Sequence, residues 1–249
     1  MGKVILKSLS IALMLSVSLF GSSVSNKQCE QKGDDFIFAG GECIQFYKSN
    51  GDTEDKITIL VHGTWPEGTN ILARYSTFAQ DLSLQTDITT IAIALPGYSK
   101  SSTNNFKALA HKGVKNPANK KEYIEFLSNL TEALKKRFNA KEVNYIGHSA
   151  GARIGAKLAS ISSSLINNIV LVGGSYDLDI QLLDKNTNYT LVYGAKDKIS
   201  KPSVTKEFYK KLKQINLNVK IVEVENGVHL DLDMTDESME AIIELLETE

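Results

Sequence analysis

The short apolar run Val143-Asn144-Tyr145-Ile146 leads into Gly147-His148-Ser149-Ala150-Gly151, and a segment rich in small residues follows to about Ser160. The pattern predicts a strand that turns sharply into a helix, with a serine at the corner. Glycines two before and two after Ser149 let backbone and sheet approach without Cβ clashes. Gly151, Gly155 and Ala159, four apart, give the helix a slim stripe that can lie close to the strands. A serine held at such a corner is in a strained backbone conformation and projects its hydroxyl above the sheet edge. The plainer alternative is an ordinary strand-to-helix turn with a capping serine.

The rest of the chain alternates in the same way. Phe36 to Gly40 and Glu42 to Tyr47 read as a hairpin around Gly40-Gly41. Lys56 to Val61, Ile88 to Leu95, Asn168 to Gly173, Thr190 to Tyr193 and Val219 to Val224 read as strands, most of them nearly continuous in apolar residues. Helical spacing appears over Thr69 to Leu84, Glu122 to Phe138, Ser203 to Ile215 and Thr235 to Glu247. Residues 98 to 120 are polar and predict a loop, with room for a short helix. Alternating strands and helices with apolar strands predict an α/β three-layer sandwich around a mainly parallel sheet.

A serine hydroxyl needs a general base, and the base needs an orienting group. The chain has four histidines. His148 belongs to the corner and should point away from the Ser149 hydroxyl. His62 ends a strand and should brace its loop, and His111 sits in the polar loop. His229 lies in a turn after the last strand, where a base is needed if the site occupies the carboxyl edge of the sheet. Asp197, after the strand ending at Tyr193, is the expected acid, with Asp177 and Asp179 as competitors. Negative charge developing on a substrate carbonyl needs waiting backbone N–H groups. Those of Ala150 and Thr64 are the expected oxyanion donors, with Trp65 at the pocket rim and Tyr98 as a second substrate contact. Arg153 and Lys157 follow on the helix and are expected to be solvated.

The ends speak to location. Lys3 and Lys7, an apolar run from Leu9 to Phe20, and Gly21-Ser22-Ser23-Val24-Ser25 form the three parts of a secretory signal peptide, residues 1–25. The apolar run is too short for a permanent bilayer span. Residues 26–249 then form one domain, periplasmic or secreted. The whole chain carries a formal charge of −1, and losing two leader lysines makes it −3. No basic face or tail is present, which argues against nucleic acid as a partner. Cys29 and Cys43 are expected to pair in an oxidising compartment. Lipid attachment at Cys29 fits poorly, because Asn26-Lys27-Gln28 precedes it.

His62-Gly63-Thr64, Leu95-Pro96-Gly97-Tyr98-Ser99, the Gly-His-Ser-Ala-Gly corner, Gly194-Ala195-Lys196-Asp197 and Gly227-Val228-His229 together resemble, in order, the motifs of the α/β-hydrolase superfamily. The resemblance spans about residues 34 to 249. It implies an eight-stranded, mostly parallel sheet, a Ser149–His229–Asp197 triad and no cofactor. Only about 16 residues separate Gly173 from Thr190, which leaves no room for the helical cap many relatives insert there. The pocket should therefore be open, or covered only by the 98–120 segment. The chain is more similar to the compact carboxylesterase and dienelactone-hydrolase branches than to capped lipases. Its serine sets it apart from the dehalogenases and epoxide hydrolases, which use aspartate. The resemblance implies cleavage of a small-molecule ester or acyl substrate through an acyl-enzyme. A peptidase or amidase on the same triad, and a silent binding protein on this fold, are the alternatives; oligomeric state is left open.

Overall fold

The computed structural model describes residues 23–113, 117–162 and 164–247. The expected leader lies outside the described residues except for its last three. Eight strands are described: β1 Phe36–Ala39, β2 Glu42–Ser49, β3 Thr53–Val61, β4 Ile88–Ile93, β5 Glu142–His148, β6 Asn168–Val172, β7 Asn188–Gly194 and β8 Val219–Val224. They form one sheet in the order β1-β2-β4-β3-β5-β6-β7-β8. β1 pairs antiparallel with β2 and β2 with β4, while all other pairings are parallel. Helices α2 Leu72–Thr86, α3 Lys121–Arg137, α4 Ala150–Ile161, α5 Pro202–Gln214 and α6 Asp236–Glu247 cover the two faces. The expected three-layer sandwich is what forms.

The central strands are buried on both faces, which is why they read as apolar runs rather than alternating ones. Ile59, Leu60, Ile91, Ala92, Ile146, Val170, Leu171, Leu191 and Val192 are at most 2 % exposed. Between β6 and β7 the chain makes only a short 3₁₀ turn, Ile180–Leu182. No cap is inserted there. Among the described residues no helix is long and apolar enough to cross a membrane.

The amino edge of the sheet carries a ladder of asparagines. Asn218 donates to Asn188 at 2.6 Å, Asn188 to Asn168 at 2.8 Å and Asn168 to Asn144 at 2.9 Å. Each amide offers both a donor and an acceptor, so a row of them satisfies itself where strands begin in partly dry surroundings.

A short N-terminal helix, α1 Asn26–Glu30, was not expected. Ser25 caps it, with Gln28 returning a bond to the Ser25 amide. Val24 exchanges two 2.8 Å hydrogen bonds with the Asn104 side chain. Cys29 and Cys43 are disulfide-bonded, fastening α1 to β2, so no thiol is left at Cys29 for a lipid. The bridge closes a loop of about 15 residues, worth ~3 kcal/mol in the chain-entropy view. A Cys29→Ala/Cys43→Ala variant is therefore expected to unfold in urea with a free energy lower by about that amount. Equal midpoints for the two proteins would show that the bridge contributes nothing.

The 98–120 segment, described at residues 98–113 and 117–120, places none of them in the lining of the cavity over Ser149. It wraps instead around a buried carboxylate at the start of β2. Glu42 is fully buried and accepts from the amides of Asn104, Asn105 and Phe106 at 2.9, 2.5 and 3.0 Å, and from the Ser102 hydroxyl. A desolvated carboxylate is tolerable only with such charge-assisted partners. Here they hold the loop down.

Candidate active site

β5 delivers Ser149 to the carboxyl edge of the sheet. Its backbone lies at φ 55°, ψ −112°, outside the region an L-residue prefers. The strain is held by structure on both sides: the Ser149 amide donates to the Val172 carbonyl at 2.8 Å, and the carbonyl accepts from the Arg153 amide. The corner is tight because α4 starts almost against β3. A Cβ on Gly151 would fall 2.1 Å from the Val61 carbonyl oxygen, so only glycine fits.

Two further loops converge on this serine. The turn after β7 carries Asp197, and the turn after β8 carries His229. Their backbones touch, since a Cβ on Gly194 would lie 2.3 Å from the Gly227 oxygen. Ala195 and Lys196 donate to the Val224 and Gly227 carbonyls at 2.9 and 3.0 Å. The outcome is a continuous chain. Asp197 Oδ2 meets His229 Nδ1 at 2.7 Å, and His229 Nε2 meets Ser149 Oγ at 2.8 Å. The other carboxylate oxygen of Asp197 accepts from the amides of Ile199 and Ser200, both at 2.8 Å, so the carboxylate is locked in orientation. Asp177 and Asp179 are exposed, and Asp179 caps the 3₁₀ turn through the Gln181 amide.

A cavity of about 120 Å³ opens over this chain, lined by Thr64, Ser149, Ala150, Arg153, Gly173, Ser175, Ile199, Ser200 and His229. Thr64 and Ala150 thus flank the serine. Tyr98 and Trp65 do not line it. Tyr98 is fully buried, with its hydroxyl donating to the Trp65 carbonyl at 2.8 Å and its ring edge-on to His62. It braces the loop that bears Thr64, where its buried phenol finds a backbone partner rather than facing the cavity. The Trp65 ring packs beneath the Arg74 guanidinium, 5.4 Å from its centroid, and Arg74 pairs with Asp231. Arg153 departs from expectation in the opposite sense: it is half-buried and forms part of the cavity wall.

The remaining histidines hold the frame. His111 pairs with Glu67 at 2.6 Å on the polar loop. His148 turns away from the serine hydroxyl, and its Nε2 donates to the His229 carbonyl at 2.8 Å. Behind it lies Asp233, 1 % exposed, which accepts from the Tyr75 hydroxyl at 2.6 Å and has its second oxygen 3.8 Å from His148 Nδ1. Burial, reinforced by that carboxylate, raises the Tyr75 pKa well above its ordinary value and keeps the hydroxyl a donor. Sequence reasoning expected Arg153 to be solvated and did not place Gly173, Ser175, Ile199, Ser200 or Asp233 at the site. Asp233 sits only four residues from His229 and carries no motif of its own.

His62 is fully buried at the end of β3. Its Nε2 accepts from the Leu95 amide at 3.0 Å, so its Nδ1 carries the proton and donates to the Gly63 carbonyl at 2.7 Å. Burial lowers its pKa from 6.5 to about 4, against the Gly63 bond and with help from nearby His148. The neutral ring is the one that fits. Between these values the unfolded chain binds a proton that the folded protein refuses, so stability falls as pH drops from 6.5 towards 4. Between pH 7 and 5 this removes about 2 kcal/mol. Urea unfolding at the two pH values should show that loss in the wild type and its absence in His62→Gln; equal losses in both would clear His62 of the effect.

The alpha/beta hydrolase fold family model matches residues 57–191. No curated protein sequence matches the chain. Among solved structures, a Pyrococcus furiosus esterase superposes with a TM-score of 0.67 at 16% identity, covering 86% of this chain and 89% of that one. A Bacillus cereus carboxylesterase gives 0.61 at 18% identity over 82% and 93%. Est1E of Butyrivibrio proteoclasticus, solved with ferulic acid bound, gives 0.60 at 16% identity over 85% and 95%. These likenesses speak to the fold, and the family match covers more than half of the sequence. The chain belongs to the α/β-hydrolase fold family.

Proposed function

We propose that this hydrolase is an exported serine esterase that cleaves carboxylic esters through an acyl-enzyme. The observation that carries the proposal is the unbroken Asp197–His229–Ser149 chain, at 2.7 and 2.8 Å, on the floor of a cavity. In this reading Ser149 Oγ attacks the ester carbonyl as its proton passes to His229 Nε2. Asp197 holds the Nδ1–H and stabilises the imidazolium. The Thr64 and Ala150 amides receive the oxyanion. The proton then goes to the departing alkoxide, which leaves as an alcohol. A water, deprotonated by the same histidine, releases the acid and restores Ser149.

A cavity of about 120 Å³ is small beside the roughly 300–1,000 Å³ of pockets that enclose a drug-sized ligand. It suits a short acyl group, with the rest of the substrate outside. Ile199, Val228 and Leu230, 77 %, 51 % and 56 % exposed beside the acid and base, offer an apolar rim for that remainder. Export belongs to the same proposal and is supported by the buried disulfide. N-terminal sequencing of the processed protein should find a start at Asn26; a start at Met1 refutes export by a cleaved leader.

The test of the chemistry is labelling by a fluorophosphonate, with the adduct located by mass spectrometry, beside turnover of p-nitrophenyl acetate and p-nitrophenyl octanoate. An adduct on Ser149 and faster acetate turnover are expected. No adduct and no turnover would make the protein a silent member of its fold family.

A further inference from the structure

We infer that Arg153 is an anion anchor, and that the preferred substrate is an ester whose acyl part bears a carboxylate a few bonds from the scissile carbonyl. This rests on the esterase reading above and adds the substrate class. Arg153 stands one helical turn beyond Ser149 on α4, its amide bonded to the Ser149 carbonyl at 3.1 Å. Ser149 is the residue just before α4 begins, and both it and Arg153 line the same cavity.

The chain has three arginines, and two have structural employment. Arg74 pairs with Asp231 and covers Trp65. Arg137 donates to the carbonyls of Phe36 and Asp34 and lies over the Phe46 and Phe138 rings. Arg153 is different. It is half-buried in the wall of the catalytic cavity, and its partners are two neutral oxygens, Ser175 Oγ and, at 3.5 Å, Asn119 Oδ1. Among the described residues no carboxylate is paired with it. Lys157, one turn further along the same face, donates to the same Asn119 oxygen at 3.3 Å. Two cations thus share one neutral acceptor on one side of the site.

A guanidinium has five N–H donors in a planar fork that matches a carboxylate. Ser175 and Asn119 take one each and steady the fork, leaving donors unspent. Withdrawing a guanidinium partly from water beside a nucleophile, without a counter-ion, costs free energy unless an anion arrives. The cavity volume limits how far that anion can lie from the carbonyl. A half-ester of a short dicarboxylic acid meets both conditions, with its alcohol directed to the apolar rim of Ile199, Val228 and Leu230.

The experiment compares kcat/KM for monoethyl succinate and ethyl butyrate, esters of the same alcohol and similar acyl length. In the wild type the half-ester should be preferred by about 10- to 100-fold, the scale of one charge-assisted hydrogen-bonded pair. In Arg153→Gln the ratio should fall to near one, and Arg153→Lys should retain part of it. The ratio is read within each protein, so general damage from a substitution cancels. Should Arg153→Gln fail to fold, the lysine variant and a loss of preference at high salt carry the test. Turnover of both esters at equal efficiency in the wild type overturns the inference and leaves the esterase standing. No turnover of either ester, with no fluorophosphonate adduct, overturns both.

Discussion

Ser149→Ala should lower kcat for any ester by about six orders of magnitude, the scale of losing a nucleophile that works as one unit with its base. The residual rate would come from substrate held against the oxyanion donors. The substitution is a clean one for this fold. Alanine has the same Cβ as serine, so the strain at φ 55° is unchanged, and the amide bond to Val172 remains. What disappears is the hydroxyl 2.8 Å from His229 Nε2. Unfolding free energy should therefore change by less than about 1 kcal/mol, the value of one hydrogen bond, while turnover and fluorophosphonate labelling vanish. Retention of even one per cent of wild-type turnover, in protein free of contaminating esterase, would remove Ser149 from the nucleophile's place.

Asp197→Asn should lower kcat by about 10⁴ while leaving the backbone as it is. The reason lies in the hydrogen bonds around the acid. Oδ1 accepts from the Ile199 and Ser200 amides, and an asparagine keeps those bonds only by presenting its oxygen there. Its NH₂ then faces His229 Nδ1. Two donors cannot face one another, so His229 must move its proton to Nε2, towards Ser149. A histidine in that tautomer cannot accept the serine proton. Asp177→Asn and Asp179→Asn serve as controls and should change kcat by less than about threefold, since both side chains are exposed and His229 Nδ1 bonds Asp197 instead. A small loss at position 197 alongside a large one at 177 or 179 would reassign the acid.

The elements were legible because their signals are local. Apolar runs of strand length, the helical spacing of Tyr123, Phe126, Leu127, Leu130 and Leu134 on α3, and the glycines around Ser149 depend only on neighbours in sequence. Helix α1 escaped notice because five residues are too few for a period. Tyr98 was misplaced for a related reason: a tyrosine in a loop motif reads the same whether it faces a substrate or a backbone carbonyl. Arg153 was misread because a charge on a helix is solvated by default, and only the packing of the loops bearing Ser175 and Asn119 turns that face into a cavity wall.

By itself, the sequence determined the α/β layering, the strained serine corner and the placing of two cysteines 14 residues apart. Each of these follows from residue type and spacing over a few turns of chain. Only the tertiary structure decided that Asp197 rather than Asp177 meets His229, that His148 and Asp233 stand behind His229, and that Glu42 captures the 102–106 loop. These outcomes join residues 32 to 85 positions apart, 60 to 64 in the case of Glu42. They depend on which strand ends lie side by side, and on buried polar groups each having to find a partner once water is excluded.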